Sequence, residues 1–258
     1  MTVALIITTY NWPEALRLVL LSAFSQTTIP TEIIIADDGS TSDTQNLIMQ
    51  MRQNTHIPIM HYWQEDKGFM VASSRNGAIR RAKSEYLIMV DGDMILESHF
   101  IEDHLKFAKK NTFVQGGRVL LNKEKTDLIL QQNRYKFSFF EKGIYNRKNI
   151  LRSEYLSRIL SKSSKTLKGI KTCNFALYKK DAYLVNGFNE AFVGWGREDS
   201  EFAARLMNAG IQRKDLKFKA TAYHLYHHEN IRKSLAKNDK LLQNTIDKKL
   251  KWCDKGLI

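Results

Sequence analysis

The chain has 258 residues, 43% of them hydrophobic, so it can bury a sizeable core and does not read as disordered. Its 40 Lys and Arg against 27 Asp and Glu leave a formal charge of +13, which directs attention to anionic partners: a phosphorylated substrate, nucleic acid or an acidic membrane face. The two cysteines, Cys173 and Cys253, exclude a disulfide framework and a cysteine-rich zinc module, and a reducing cytoplasm is expected.

In chain order, residues 3–8 form an apolar, β-rich run. It is too short to span a bilayer and no charged region precedes it, so it reads as a buried strand, not a signal peptide. No later stretch reaches the ~18 apolar residues of a transmembrane helix. Pro13 opens a helix with Asn11 as its cap, and Leu16, Val19, Leu20 and Ala23 recur at helical spacing. Residues 32–36 give a second buried strand, a helix follows from Ser42, and residues 59–63 give a third strand. A helix over 71–83 leads to a strand at 86–90. Strands alternating with helices predict an α/β fold with a Rossmann-like, mostly parallel sheet covered by helices on both faces. Beyond residue 118 the chain turns basic, with sixteen Lys and Arg against four acidic residues up to Lys180. A second ordered region runs from Thr172 to about 228, with Phe202, Leu206 and Ala209 as a helical apolar face. A Lys-rich helix is expected from about Arg232. Residues 1–115 and 116–230 read as two halves of one domain, with 231–258 as a basic C-terminal extension.

In open α/β sheets, ligands bind beyond the carboxyl ends of the strands. Three polar clusters fall at such ends: Thr8-Thr9-Tyr10-Asn11, Asp37-Asp38-Gly39-Ser40 and Asp91-Gly92-Asp93. Two carboxylates two residues apart, leaving the apolar run 87–90, suit a hard cation, and Gly92 permits a tight turn. The Asp37–Asp38 pair can accept hydrogen bonds from a base or ribose, or start the next helix as an Asx turn capped by Ser40 or Ser42. Gly194-Trp195-Gly196 presents an aromatic face of the kind on which sugars pack. Glu198 and Asp199 follow at a helix start, where the dipole favours carboxylates and one can act as general base. His224, His227 and His228 form an imidazole cluster that, next to an Asp pair, suits Mn²⁺ better than Mg²⁺.

Taken in order, these clusters, with Gly68-Phe69, Arg75-Asn76, Gly187-Phe188-Asn189-Glu190 and Gly194–Asp199, resemble the family 2 inverting glycosyltransferases of the GT-A fold. The later segment resembles the galactosyltransferase-type element of β-1,4-galactosyltransferases and bacterial chondroitin-polymerase modules. The resemblance covers roughly residues 1–115 and 170–230. It implies transfer of a hexose or N-acetylhexosamine from a UDP-sugar to a saccharide hydroxyl, in capsule or lipopolysaccharide synthesis. Carried over by position, it implies donor contacts from Thr8, Tyr10, Asn11, Asp38, Arg75, Asn76 and Asp91, and Mn²⁺ (or Mg²⁺) on Asp93, His224 and His227. It implies acceptor contacts from Trp195, Gly196 and Glu198, and Asp199 as catalytic base. Ser200 and His224 depart from the animal galactosyltransferase pattern, where a further acidic residue and a methionine are common.

The implied acceptor is an oligosaccharide or a lipid-linked saccharide. Residues 118–170 and the C-terminal helix are then candidates for peripheral contact with the anionic inner face of the plasma membrane, with core packing as the competing reading of that helix. No nucleic-acid partner is expected. The alternative, a basic metal-dependent nucleic-acid-binding protein or nuclease using Asp91 and Asp93, leaves Gly194–Asp199 without a role.

Overall fold

The fold comes from a computed structural model that describes residues 1–228 and 233–258. The elements are β1 (Val3–Thr9), α1 (Pro13–Phe24), β2 (Glu32–Asp37), α2 (Ser42–Arg52), β3 (Ile59–Trp63), α3 (Val71–Arg81), β4 (Tyr86–Asp91), β5 (Met94–Leu96) and α4 (Phe100–Phe107). There follow β6 (Thr112–Gln115), β7 (Arg118–Leu121), α5 (Lys123–Gln131), β8 (Ile144–Tyr145), α6 (Glu154–Leu160), β9 (Lys162–Ser164) and β10 (Asn174–Tyr178). The rest are α7 (Lys179–Leu184), α8 (Glu198–Asn208), β11 (Gln212–Asp215), β12 (Ala222–His224) and α9 (Leu235–Asp247).

The main sheet has the order β3-β2-β1-β4-β10-β6-β11-β9. Its first four strands are parallel, as the strand–helix alternation demands. The second half is mixed: β10 runs antiparallel to both β4 and β6, and β9 antiparallel to β11. A smaller sheet, β5-β12-β7-β8, stands beside it.

Alternation along β1 divides the core. Val3, Leu5 and Ile7 face α1, α2 and α4, while Ala4 and Ile6 face α3, α7 and α8. Burial on both faces explains why residues 3–8 are continuously apolar. On the second face Phe113, Phe175, Phe202 and Phe188 form a chain of rings with successive centroids 4.9, 6.0 and 4.3 Å apart. Truncating any one of them to Ala would cost about 3–5 kcal/mol.

Three local expectations are corrected. Asn11 does not cap α1. It adopts a left-handed backbone, its amide donates to Ser40 Oγ, and its side-chain oxygen accepts from the Thr41 amide, so it ties two strand-end loops together. Thr41, not Ser40 or Ser42, occupies the N-cap position of α2. The expected start of the C-terminal helix near Arg232 lies outside the described residues. Within α9, Lys237 and Lys240 are matched by Asp239 and Asp247, so the helix itself is not basic. It packs on α8, burying Asn238 and Thr245, with Thr245 donating to Glu201 of the buried Glu201–Arg205 ion pair. Among the described residues no helix is long and apolar enough to cross a membrane.

Candidate active site

The exit from β4 organises the site. Asp91 is its last residue, and the chain turns through Gly92 and Asp93 into β5. Gly92 is needed for closeness: its backbone φ is not positive, but its amide donates to Thr8 O at 2.6 Å and an added Cβ would lie 3.0 Å from Thr9 Oγ1. On one side of this turn β12 pairs antiparallel with β5, placing His224 opposite Met94. Asp93 Oδ2 thereby meets His227 Nε2 at 3.2 Å and His224 Nε2 at 3.5 Å.

One ligand atom each from Asp93, His224 and His227 lie within 4.8 Å of one another. Asp93 Oδ1 is buried with no hydrogen-bond partner among the described residues. A buried orphan oxygen beside two imidazoles is a donor set that fits a divalent cation. Burial pushes the Asp93 carboxyl up, but the His227 hydrogen bond and both imidazoles overcome this and hold it below its ordinary value. Burial drives His224 down to about 4, while the Asp93 hydrogen bond lifts His227 to about 9.

On the other side of the turn lies a carboxylate cluster around one buried guanidinium. Arg75, from α3, donates to Thr8 Oγ1 at 3.3 Å, Asp199 Oδ1 at 2.9 Å and Asp91 Oδ1 at 3.1 Å, and sits 3.6 Å from Glu198 Oε1. Thr172 completes the grip on Asp199 through its hydroxyl (2.6 Å to Oδ1) and its amide (3.0 Å to Oδ2). Burial raises Asp91 to about 6 against the pull of Arg75. Burial, with Asp199 adjacent, raises Glu198 to about 7, and its Oε2 is buried without a hydrogen-bond partner among the described residues.

At the ends of β1 and β2 the contacts are polar. Asp38 accepts from Gln64 Nε2 at 2.6 Å and from the Met70 amide at 2.9 Å, and burial raises it to about 6. Tyr10 is half-exposed, its hydroxyl donating to Asp66 Oδ2 at 2.9 Å. Asp37 is fully buried and bound to His61 Nε2 at 2.8 Å.

The Gly194-Trp195-Gly196 loop leads into α8. Gly194 and Gly196 have φ of +77° and +107°, and Arg197 follows at +78°. A Cβ on Gly194 would collide with Ser234 Oγ at 2.3 Å, so the glycines permit both the backbone and the close seat of α9. Asn238 of α9 donates to the carbonyls of Val193, Gly194 and Gly196, fixing Trp195 between them.

The structure thus gathers Thr8, Arg75, Asp91, Glu198 and Asp199 into one network and Asp93, His224 and His227 into another across the same turn. Asn76 is not brought to this surface. It is wholly buried, its amide donating to Phe188 O and Glu190 Oε1 and its oxygen accepting from the Phe188 amide, so no polar atom is left for a donor. The sequence reading missed Thr172, Gln64, Asp66 and His61; single Thr, Gln, Asp and His residues outside any cluster carry no local signal. A shallow cavity of about 460 Å³ between α1 and α2, lined by residues such as Glu14, Arg17 and Asp43, contains none of the site residues.

Comparison with known proteins identifies the family. Residues 4–184 match the model for glycosyl transferase family 2, and residues 156–229 match a model described as the N-terminal domain of galactosyltransferase. The chain is 25% identical over 244 residues to chondroitin synthase of Escherichia coli, covering 86% of this chain and 34% of that protein. It is 28% identical over 223 residues to hyaluronan synthase of Pasteurella multocida, covering 80% of this chain and 23% of that protein. It therefore spans about a third or less of either relative's length. The structure of S. aureus TarS 1–349 in complex with UDP superposes with a TM-score of 0.64 at 16% identity, covering 100% of this chain and 68% of that one. That likeness carries the fold, and no feature of the site or of these matches favours the nuclease alternative. With its family match spanning most of the sequence and its carboxylates gathered at the strand ends, the chain belongs to glycosyl transferase family 2.

Proposed function

We propose that this glycosyltransferase is metal-dependent and inverting, and moves a hexose or N-acetylhexosamine from a UDP-sugar to a hydroxyl of an oligosaccharide or lipid-linked saccharide in bacterial surface-polysaccharide synthesis. The observation that carries the reading is the adjacency, across one β4–β5 turn, of the Asp93–His224–His227 triad and the Arg75-anchored Asp199. Asp93, His224 and His227 would hold the divalent cation, and two imidazoles favour Mn²⁺ over Mg²⁺; when bound, it neutralises charge growing on a leaving diphosphate.

The remaining roles belong to the chain's own groups. Thr8, Tyr10, Asn11 and Asp38 border the nucleoside end, the half-exposed Tyr10 being available for stacking. Trp195 and Gly196 floor the acceptor side. Burial, with Asp199 adjacent, raises Glu198 to about 7, and its Oε2, without a hydrogen-bond partner among the described residues, would pair with a sugar hydroxyl. Asp199 Oδ1 is taken by Arg75 and Thr172, whereas among the described residues Oδ2 accepts only the Thr172 amide and keeps a lone pair for the acceptor proton. Attack opposite the diphosphate inverts the anomeric centre. In place of the expected donor contact, we assign Arg75 to holding Asp91 and Asp199 in place. The buried free thiols of Cys173 and Cys253 fit a reducing, cytoplasmic location.

Thermal melts with a nucleotide panel, with and without Mn²⁺, test the donor site: UDP should stabilise only with the metal. Asp199→Asn should lower transfer by ~100-fold or more while UDP-dependent stabilisation persists. Transfer retained at more than about a few per cent would remove Asp199 as the base.

A further inference from the structure

The segment between β8 and β10, which the family resemblance leaves unassigned, carries a helix facing the wrong way for a soluble surface. In α6 the one buried residue is Ser157; the C-cap Ser161 is also buried and the N-cap Ser153 half-buried, the three at the i, i+4, i+8 spacing of one helix face. Ser157 is 0% exposed and shares a hydrogen bond with Ser161 Oγ at 3.1 Å, and the Ser153 hydroxyl caps the helix by accepting from the Leu156 amide. The apolar residues point outward: Tyr155 is 73% exposed and Ile159 51%, with Leu156 and Leu160 completing the second i, i+4 pair and Leu151 exposed just before them. Among the described residues none of these five belongs to a core cluster.

The helix is nevertheless firmly held. Lys219 bridges Glu154 and the buried Asp103, Arg152 pairs with the same Asp103, and the Ser153 amide donates to Phe218 O. The outward ridge is therefore a fixed feature of the fold. Cations flank it along the chain: residues 147–168 contain seven Lys and Arg and one acidic residue, Glu154. Arg158, Lys162, Lys165 and Lys168 are exposed, and among the described residues no salt bridge engages Lys162, Lys165 or Lys168. Lys162 begins β9, the edge strand of the main sheet, which lengthens the basic rim.

We propose that α6 and its lysine rim form a docking surface for an anionic lipid bilayer, with Tyr155, Leu156, Ile159 and Leu160 entering the headgroup boundary and the cations resting on lipid phosphates. An apolar ridge flanked by uncompensated positive charge matches an interface that is apolar inside and anionic outside. A second copy of this chain would set the same positive rim against itself, and the net charge opposes that arrangement. The segment is anchored near the site at both ends: Asn149 donates to Arg118 O on β7, and Lys171 precedes the Thr172 that grips Asp199. Docking through α6 thus sets the site at a fixed offset from the bilayer, while α9, packed on α8, is not the membrane element.

The test is cosedimentation of the whole chain with phosphatidylglycerol–phosphatidylcholine vesicles and with phosphatidylcholine vesicles alone, with size-exclusion light scattering in parallel. The wild-type chain is expected to pellet with the anionic vesicles, and more weakly with neutral ones. Arg158→Glu with Lys162→Glu should lower partitioning by ~25-fold or more, at roughly fivefold per basic residue lost near the surface. Tyr155→Ser with Ile159→Ser should lower it by ~10-fold or more, since each polar substitution removes several buried carbons. Both double variants should keep the wild-type melting temperature and UDP response, which controls for folding. Failure of the wild-type chain to bind anionic vesicles overturns the proposal. So does undiminished binding by both variants, or a concentration-dependent dimer that Tyr155→Ser with Ile159→Ser dissociates, which would make a second copy the occupant.

Discussion

Replacing Arg75 tests whether one buried guanidinium holds the candidate active site together. In Arg75→Met the side-chain volume is roughly kept, but Asp91, Asp199 and Glu198 lose the cation within 3.1, 2.9 and 3.6 Å respectively. Breaking a buried pair by removing one partner costs about 3–5 kcal/mol, a large share of the ~5–15 kcal/mol that holds a domain folded. For a protein of this size that corresponds to a melting temperature lower by roughly 10 °C at pH 8. The loss should depend on pH. Asp91 and Glu198 already stand at about 6 and 7, and without the guanidinium both bind protons still more readily when folded than when unfolded. Folded-state values raised above the unfolded ones give stability that is present at low pH and lost as pH rises through the raised values, so the deficit should shrink toward pH 5.5. Arg75→Lys keeps the charge but not the three-way fork, and should fall between wild type and Arg75→Met. The assay is thermal and urea unfolding of the three proteins at pH 5.5, 7 and 8. A deficit that is equal at all three pH values, or below ~1 kcal/mol at pH 8, would refute the assignment of Arg75 as the electrostatic anchor.

Asp93→Asn should abolish the Mn²⁺-dependent part of UDP stabilisation, worth about 2.7 kcal/mol in wild type at one hundred times the dissociation constant, and should leave the apo melting temperature within a few degrees. An unchanged metal response would exclude Asp93 as a ligand. His104, fully buried with Nε2 on Asn174 Oδ1 at 2.8 Å, is held at about 4 by burial. The unfolded chain takes up that proton first, so this contribution is intact above ~6.5 and lost as pH falls toward 4, amounting to about 2 kcal/mol at pH 5. His104→Gln should therefore show a shallower loss of stability between pH 7.5 and 5 than wild type, and equal slopes in urea titrations would contradict this. Asn238→Ala removes the donor to three carbonyls of the Trp195 loop and should raise the acceptor KM more than the UDP dissociation constant; equal effects on both would dissociate the loop from acceptor binding.

Legibility in the sequence tracks how local the cause is. Strands β1, β2 and β4 are buried on both faces, so continuous apolar runs announce them, and the helices between them carry their own 3.6-residue period. Strands β5, β7, β8, β9, β11 and β12 have two to four residues each, too few for a period to register, and they exist because neighbouring strands pair with them. The clusters at strand ends could be read because topology alone puts them there. Asn76 could not be read correctly: its neighbour Arg75 enters the site, yet one residue along α3 turns its own side chain inward onto Phe188 and Glu190. Helical geometry, 100° per residue, separates adjacent motif letters into different environments.

The two networks of the candidate site meet because of two antiparallel pairings that no periodicity announces. In an all-parallel sheet, the loop leaving β4 would be flanked only by other strand ends. Here β10 runs against β4 with Asn174 opposite Val90, so the residues that begin β10 lie where β4 finishes, and Thr172 reaches Asp199 beside Asp91. On the far side of the same turn, β12 runs against β5 with His224 opposite Met94, which delivers the imidazoles to Asp93 from more than 130 residues away. The turn Asp91-Gly92-Asp93 is therefore clamped between two returning strands, one preceded by the Thr172 that holds the proposed base and the other carrying the candidate metal ligands. Sequence distance gives no hint of either approach, because loop closure over such lengths costs only slowly more as the loop grows and is repaid by sheet pairing. Any lengthening of β10 or β12 that slipped its register by one residue would turn Asn174 or His224 to the opposite face, so the strand register, as much as the side chains, defines this centre.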